Sequence, residues 1–242
     1  MSQSVRVLNW NVEWATPRSP RGPHVQEHFR ENGPDLICLT EGQADLLPAS
    51  GHVITSQADT GYPIQKPQRR KVLFWSRSPW KNIDDLGSEG LPSGRFIAGT
   101  TQTKFGLLRV IGKCIPWSHA HVSTGRRDRR VWQDHLAYLT ELKFILNRLS
   151  KDLVTIVVGD FNQLVPRHRA PEHAYTALME TFDGWSFATE GTIPGLSRSL
   201  IDHVAIRSPL TCERLKGIPR RSVSDLRLSD HDGIIADFTL RS

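Results

Sequence analysis

Apolar residues fall in short runs separated by turn-rich segments. Val5–Val12, Leu36–Thr40, Val72–Trp75, Phe96–Thr103, Leu107–Ile115, Val154–Val158, Ile201–Ile206 and Ile234–Leu240 are rich in β-branched and aromatic residues, which predicts a strand in each. A different period appears once, where Trp132, Leu136, Leu139, Leu142, Leu146 and Leu149 recur at three- and four-residue steps. That spacing predicts a long amphipathic helix with Asp128 placed to cap its start. A second helix is expected from Pro171 to Phe182, with proline in the first turn where its missing N–H is harmless, and a third near His24 to Glu31. Segments 16–24, 57–70, 81–95 and 187–199 are rich in Pro, Gly, Ser and charge and read as surface loops.

Many strands with a few amphipathic helices, and no sustained βαβ alternation, argue for an α/β (α+β) four-layer sandwich: two packed mixed β-sheets flanked by helices. No internal repeat or low-complexity linker divides the chain, so residues 1–242 are expected to form one domain. With 38% hydrophobic and 23% charged residues, the composition suits a globular core. No stretch approaches the roughly 20 apolar residues that span a bilayer. Val5–Val12 follows Met1 too closely for a signal peptide, and Cys38, Cys114 and Cys212 are too few and too dispersed for a disulfide framework or a zinc knuckle. A cytoplasmic setting is the expectation.

The net charge of +6 favours an anionic partner. The positive charge gathers at Arg69-Arg70-Lys71, at the Arg126, Arg127, Arg129, Arg130 run, at Arg167-His168-Arg169 and at Arg220-Arg221. Each run reads equally as a solvated loop or as a stretch that tracks phosphates.

Polar residues placed where strands end carry the candidate chemistry. Asn11 and Glu13 close the first run two residues apart, so on a strand they share a face; taken alone, they suit a strand end at the water boundary just as well. Glu41 ends the second run in the same ambiguous way. The sequence Val157-Val158-Gly159-Asp160-Phe161-Asn162 runs an apolar strand straight into Gly-Asp-x-Asn. Asp160 there suits a carboxylate that orients or deprotonates a water, and Asn162 an amide that donates to a phosphate oxygen. Asp202 lies inside an apolar strand, where burial is costly without a partner. An imidazolium is the natural partner, and Ser229-Asp230-His231 offers one just before the last strand. Asp202 would then hold His231 protonated and oriented, leaving Asp230 for a metal or its water shell. A hard cation such as Mg2+ needs few carboxylates beyond its waters and the substrate oxygens.

Asn-x-Glu in the first strand, Leu-Thr-Glu in the second, then Gly-Asp-Phe-Asn, Ile-Asp-His and Ser-Asp-His resemble, in this order, the endonuclease/exonuclease/phosphatase superfamily that contains exonuclease III and pancreatic-type deoxyribonuclease. The resemblance spans residues 5 to 240. It implies Mg2+, with Mn2+ as the alternative, near Glu41, helped by Asn11, Glu13 and Asp230. It also implies that Asp160 and Asn162 act on the attacking water and the phosphate, with His231 and Asp202 across the scissile group. One position departs from the pattern. Where the family places a Tyr or His as a phosphate contact or leaving-group helper, this chain has Cys114, and a thiol is a poor substitute for either. Lys113, His119 or His121 is left to supply that donor, or the contact is missing; His119 and His121 read equally as exposed loop residues.

The resulting expectation is a divalent-metal-dependent phosphodiesterase, foremost a nuclease acting on DNA or RNA by in-line water attack. Arg126, Arg127, His119, His121 and Trp117 are its candidate substrate contacts. A phosphatase or phosphodiesterase acting on inositol phosphates or another small phosphoester is the rival within the enzyme class. A non-catalytic nucleic-acid-binding scaffold is the rival outside it, disfavoured because a dead site has no physical need for so many mutually repelling acids.

Overall fold

A computed structural model describes residues 3–59, 61–62, 66–125 and 128–241. The strands are β1 (Val5–Asn11), β2 (Leu36–Gln43), β3 (His52–Thr55), β4 (Arg69–Ser76), β5 (Trp80–Asp84), β6 (Phe96–Thr103), β7 (Gly106–Cys114), β8 (Thr155–Asp160), β9 (Ser186–Phe187), β10 (Asp202–Ile206), β11 (Leu210–Ile218) and β12 (Gly233–Leu240). They form two six-stranded sheets, ordered β11-β12-β1-β2-β4-β3 and β5-β6-β7-β8-β10-β9. Each sheet contains one parallel pair, β1 with β2 and β7 with β8, flanked by antiparallel neighbours. Two mixed sheets with helices outside them are the architecture that the strand pattern predicts.

Alternation along the strands builds the layers. Val5 and Val7 of β1 point into the core between the sheets with Cys38, Phe74, Val110, Ile156 and Val158. Leu8 and Trp10, one residue out of phase, pack with Val25 and Phe29 on the outer face. In β8, Val157 turns outward to Tyr138, Leu139, Leu142 and Leu178. Strands buried on both faces read as near-continuous apolar runs, which is why these stand out in the sequence. Each fully buried side chain of this kind contributes roughly 1.5–3 kcal/mol by leaving water. The sheets approach closely at Gly112, where an added Cβ would lie 2.4 Å from Cζ of Phe74.

Helix α1 (Gly22–Asn32) covers the first sheet and ends at Gly33, whose left-handed φ of 52° lets its N–H reach the Phe29 carbonyl. Helices α2 (Gln133–Asn147) and α3 (Glu172–Thr181) cover the second, and Pro171 stands immediately before α3. The expected cap on α2 is not the observed one. Trp132 occupies the N-cap with φ 70°, Asp128 lies upstream of the first turn, and Asp134 supplies the negative charge near the helix N-terminus. Segment 81–95 is also not all loop, because β5 reaches Asp84. Among the described residues, no helix is long and apolar enough to cross a membrane.

Candidate functional site

The two parallel pairs point their C-terminal ends at the same edge of the sandwich, and the strand-end polar residues meet there. Asn11 closes β1, Glu41 lies near the end of β2, and Asp160 closes β8. Asp202 opens β10 directly opposite Asp160 in the antiparallel register. The sheets are tied together behind this edge: Asn9 Nδ2 donates to the carbonyls of Gly159 and His203 at 3.3 Å, and Asn11 Nδ2 donates to Asp160 Oδ2 at 3.3 Å. Gly159 is required by geometry, since its φ is 129° and a Cβ would sit 2.1 Å from the Lys113 carbonyl oxygen. Four non-glycine residues here, Glu13, Trp14, Glu41 and Asn162, hold positive φ of 46°, 60°, 52° and 53°. Asn tolerates this region, but the others are strained at about 1–3 kcal/mol each, a cost that tends to concentrate at functional sites.

His231 Nδ1 lies 2.5 Å from Asp202 Oδ2, the partnership expected from the buried aspartate. Its loop is pinned to β1: Ser229 Oγ donates to the Asn11 carbonyl at 2.6 Å, and Trp10 Nε1 donates to the His231 carbonyl at 3.0 Å. Burial alone would lower the His231 pKa, but the charge and hydrogen bond of Asp202, with Asp160 and Asp230 beyond, lift it to about 10. The ring is therefore an imidazolium at neutral pH. Asp160 is pushed up to about 7, first by burial and then by the charge on Asp202, against the pull of His231. Its Oδ1 accepts the Asn162 backbone N–H at 2.8 Å, while the Asn162 side-chain amide, expected on a phosphate oxygen, donates to the Ile115 carbonyl at 2.8 Å. A carboxylate near neutrality, beside a fixed cation, is a pairing that can move a proton and offset a developing negative charge.

A cavity of about 250 Å³ opens on this cluster, lined by Asn11, Glu41, Asp160, Asn162, Asp230 and His231 and walled by Trp117. Trp117 is 43% exposed, and its ring lies 5.3 Å from that of His119. His121 is committed elsewhere, with Nδ1 2.6 Å from Asp134 and Nε2 3.1 Å from the Gly61 carbonyl. Both its nitrogens are occupied, so it is no phosphate donor. Lys113 is fully buried with Nζ 2.7 Å from the centre of the Phe161 ring, which removes it from the same role. Glu13 does not join Glu41, because β1 ends at Asn11 and the left-handed turn sends its carboxylate to Arg21 and Arg227. Arg126 and Arg127 lie outside the described residues.

Three cavity residues, Tyr62, Lys71 and Arg95, are absent from the site residues that the sequence predicts. Lys71 Nζ sits 2.5 Å from Glu41 Oε1, and Arg95 is buried beside Cys114. Lys71 belongs to a basic run that reads equally as solvated loop or phosphate-tracking stretch, and in the fold it lies across from Glu41 on antiparallel β4; that cross-strand pairing is the one signal available. Arg95 is a single cation ahead of a strand and carries no sequence signal.

The residues present suit a divalent cation. Asp160 and Asp202 bring carboxylate oxygens within 4.8 Å of one another, Asp202 Oδ1 is buried without a hydrogen-bond partner, and Glu41 and Asp230 add hard oxygen donors, while His231, as an imidazolium, is left out of the donor set.

No curated protein matches the sequence. Solved structures share the fold across essentially the whole chain. An AP endonuclease from Archaeoglobus fulgidus is 18% identical with a TM-score of 0.70, covering 96% of this chain and 98% of its own. The 3'-5' exonuclease NExo from Neisseria meningitidis is 19% identical with a TM-score of 0.70, covering 97% and 100%. TDP2 from D. rerio, complexed with a single-strand DNA product, is 13% identical with a TM-score of 0.69, covering 98% and 99%. The model of the Endonuclease/Exonuclease/phosphatase family matches residues 8–231, which takes in every strand-end acid described above. The chain therefore belongs to the endonuclease/exonuclease/phosphatase family, whose nucleases and phosphatases act on phosphoester bonds and are generally divalent-metal-dependent.

Proposed function

We propose that the whole chain acts as one catalytic domain, a divalent-metal-dependent nuclease that hydrolyses phosphodiester bonds of DNA or RNA by in-line attack of water. The observation that carries this reading is the meeting of Asp160 with the Asp202–His231 pair at the mouth of a cavity. Asp160 takes the proton of the attacking water, and Asn11 and Asn162 keep that carboxylate in place. His231, held protonated and oriented by Asp202, offsets charge on the phosphoryl oxygens. Glu41 and Asp230 would hold Mg2+ or Mn2+, which supplies Lewis-acid stabilisation of the phosphoryl oxygens when bound. Positioning and electrostatics carry most of the barrier reduction in phosphoryl transfer, so no covalent intermediate is required.

A polymer is favoured over a small ester by the adjoining surface. A groove of about 630 Å³ runs from Asp202, Asp230 and His231 between two loops carrying Arg167, His168 and Arg169 on one side and Arg198 on the other. Such a cationic track suits a phosphate backbone entering the site.

The test is cleavage of labelled single- and double-stranded DNA and RNA, beside a small chromogenic phosphodiester, in Mg2+, Mn2+ or EDTA. Polymer cutting that EDTA abolishes is expected, with Asp160→Asn about a hundredfold slower or worse. Activity confined to the small ester would replace the nuclease reading with a small-phosphoester hydrolase, and near-full activity of Asp160→Asn would overturn the assignment of the base.

A further inference from the structure

Cys114 shares the cavity with His231, and the cation beside it comes from another segment of the chain. Arg95 immediately precedes β6 and is only 2% exposed. Its carbonyl accepts hydrogen bonds from the Tyr138 hydroxyl at 2.9 Å and the Cys114 N–H at 3.0 Å, which fixes the backbone. Its guanidinium lies over Cys114, with Nη1 donating to the Cys114 carbonyl at 3.1 Å and standing 3.8 Å from Sγ. The other terminal nitrogen, Nη2, is buried and has no hydrogen-bond partner, although Arg95 lines the cavity that holds Asp160 and His231. The ring of Tyr62 covers the group at 5.8 Å.

A guanidinium anchored through one nitrogen and unsatisfied at the other is a preorganised half of a fork, and the ligand that completes it is an oxyanion. The Cys114 thiol is no competitor, because burial pushes its pKa up to about 12 and keeps it neutral. We propose that Arg95 is the phosphate-binding residue that takes the place of the family's Tyr or His at Cys114, donating from Nη2 to a non-bridging oxygen of the phosphate on the side away from His231. The proposal rests on the functional reading above only in assuming that this cavity receives a phosphate. The phosphate can be a terminal monoester or an internal diester, since both present such an oxygen.

Inorganic phosphate is the direct probe, titrated in the presence of Mg2+ into wild type, Arg95→Met and Arg95→Lys, with thermal melts to establish folding. Arg95→Met is expected to weaken phosphate binding about tenfold or more, the scale of a lost charged hydrogen bond. Arg95→Lys, a point charge without the fork, should fall between the two. A folded Arg95→Met that binds phosphate like wild type overturns the proposal, as does a wild type that binds none. If the Met variant fails to fold, an unchanged affinity in Arg95→Lys overturns it equally. Oligonucleotides carrying one terminal phosphate or one labelled internal diester, followed in parallel, identify the source by which reaction slows in the variants. Polymer cleavage with Arg95-independent phosphate binding sinks this inference alone; Arg95-dependent phosphate binding without polymer cleavage sinks the nuclease reading alone.

Discussion

Asp160, Asp202 and His231 share two negative charges and one positive within a buried space, and their protons respond to pH in a predictable direction. Asp160 has a folded pKa of about 7 against its ordinary 3.8, so the native state binds the proton more tightly than the unfolded chain. Its contribution to stability is fully present below the ordinary value and is lost as pH rises through about 7. His231, raised to about 10 from 6.5, acts with the same sign: its contribution is complete below 6.5 and is lost as pH climbs through about 10. In EDTA, Asp160→Asn should therefore gain stability relative to wild type as pH rises from about 4 to about 8, because the amide has no charge to bury. Thermal melts across that range check this, and parallel curves for the two proteins would refute it. The Asp202–His231 pairing is legible in the sequence because an acid inside an apolar strand demands a cation. Glu13 is not, because two-apart logic holds only while the chain remains a strand, and its φ of 46° breaks that condition. Arg95 and Lys71 escape because their roles depend on which strand lies beside them.

Every strand that the hydrophobic pattern predicts lies inside a sheet, and the four it misses, β3, β5, β9 and β11, are the four sheet edges. Interior strands are buried on both faces and read as apolar runs, whereas β5 is exposed over most of its length and β11 alternates irregularly with a bulge between Cys212 and Arg214. Edge strands carry polar residues for a physical reason, since an apolar edge invites pairing with another chain. The element that the site depends on most is the β7–β8 parallel pair, which brings Cys114 opposite Asp160. Gly159 permits that pairing. Gly159→Ala would drive a methyl into the Lys113 carbonyl and force a left-handed φ on a residue with a Cβ. A destabilisation of about 3 kcal/mol or more is expected, readable in denaturant melts. A variant within about 0.5 kcal/mol of wild type, the range of neutral surface changes, would mean that the strands can separate here without cost.

At the scale of the molecule, the layer order is legible because alternation sorts each strand's residues between the inter-sheet core and the helix-covered faces. The groove is not, because it forms between loops 164–169 and 197–201, which are remote in sequence and brought together only when β10 pairs with β8. The net charge of +6 announces an anionic partner but not its path. If Arg167, Arg169 and Arg198 line that path, each neutralises a phosphate and releases a counterion on binding. Replacing all three with Ala should then flatten the dependence of log affinity on log salt by about 0.9 per cation on duplex DNA, roughly 2.7 in total, and somewhat less on single strands. Binding of a labelled oligonucleotide to a non-cleaving Asp160→Asn background, titrated over a range of salt, measures the slope directly. A slope that does not move would place the strand elsewhere on the surface even if affinity fell, because loss of packing weakens binding without changing the number of counterions released.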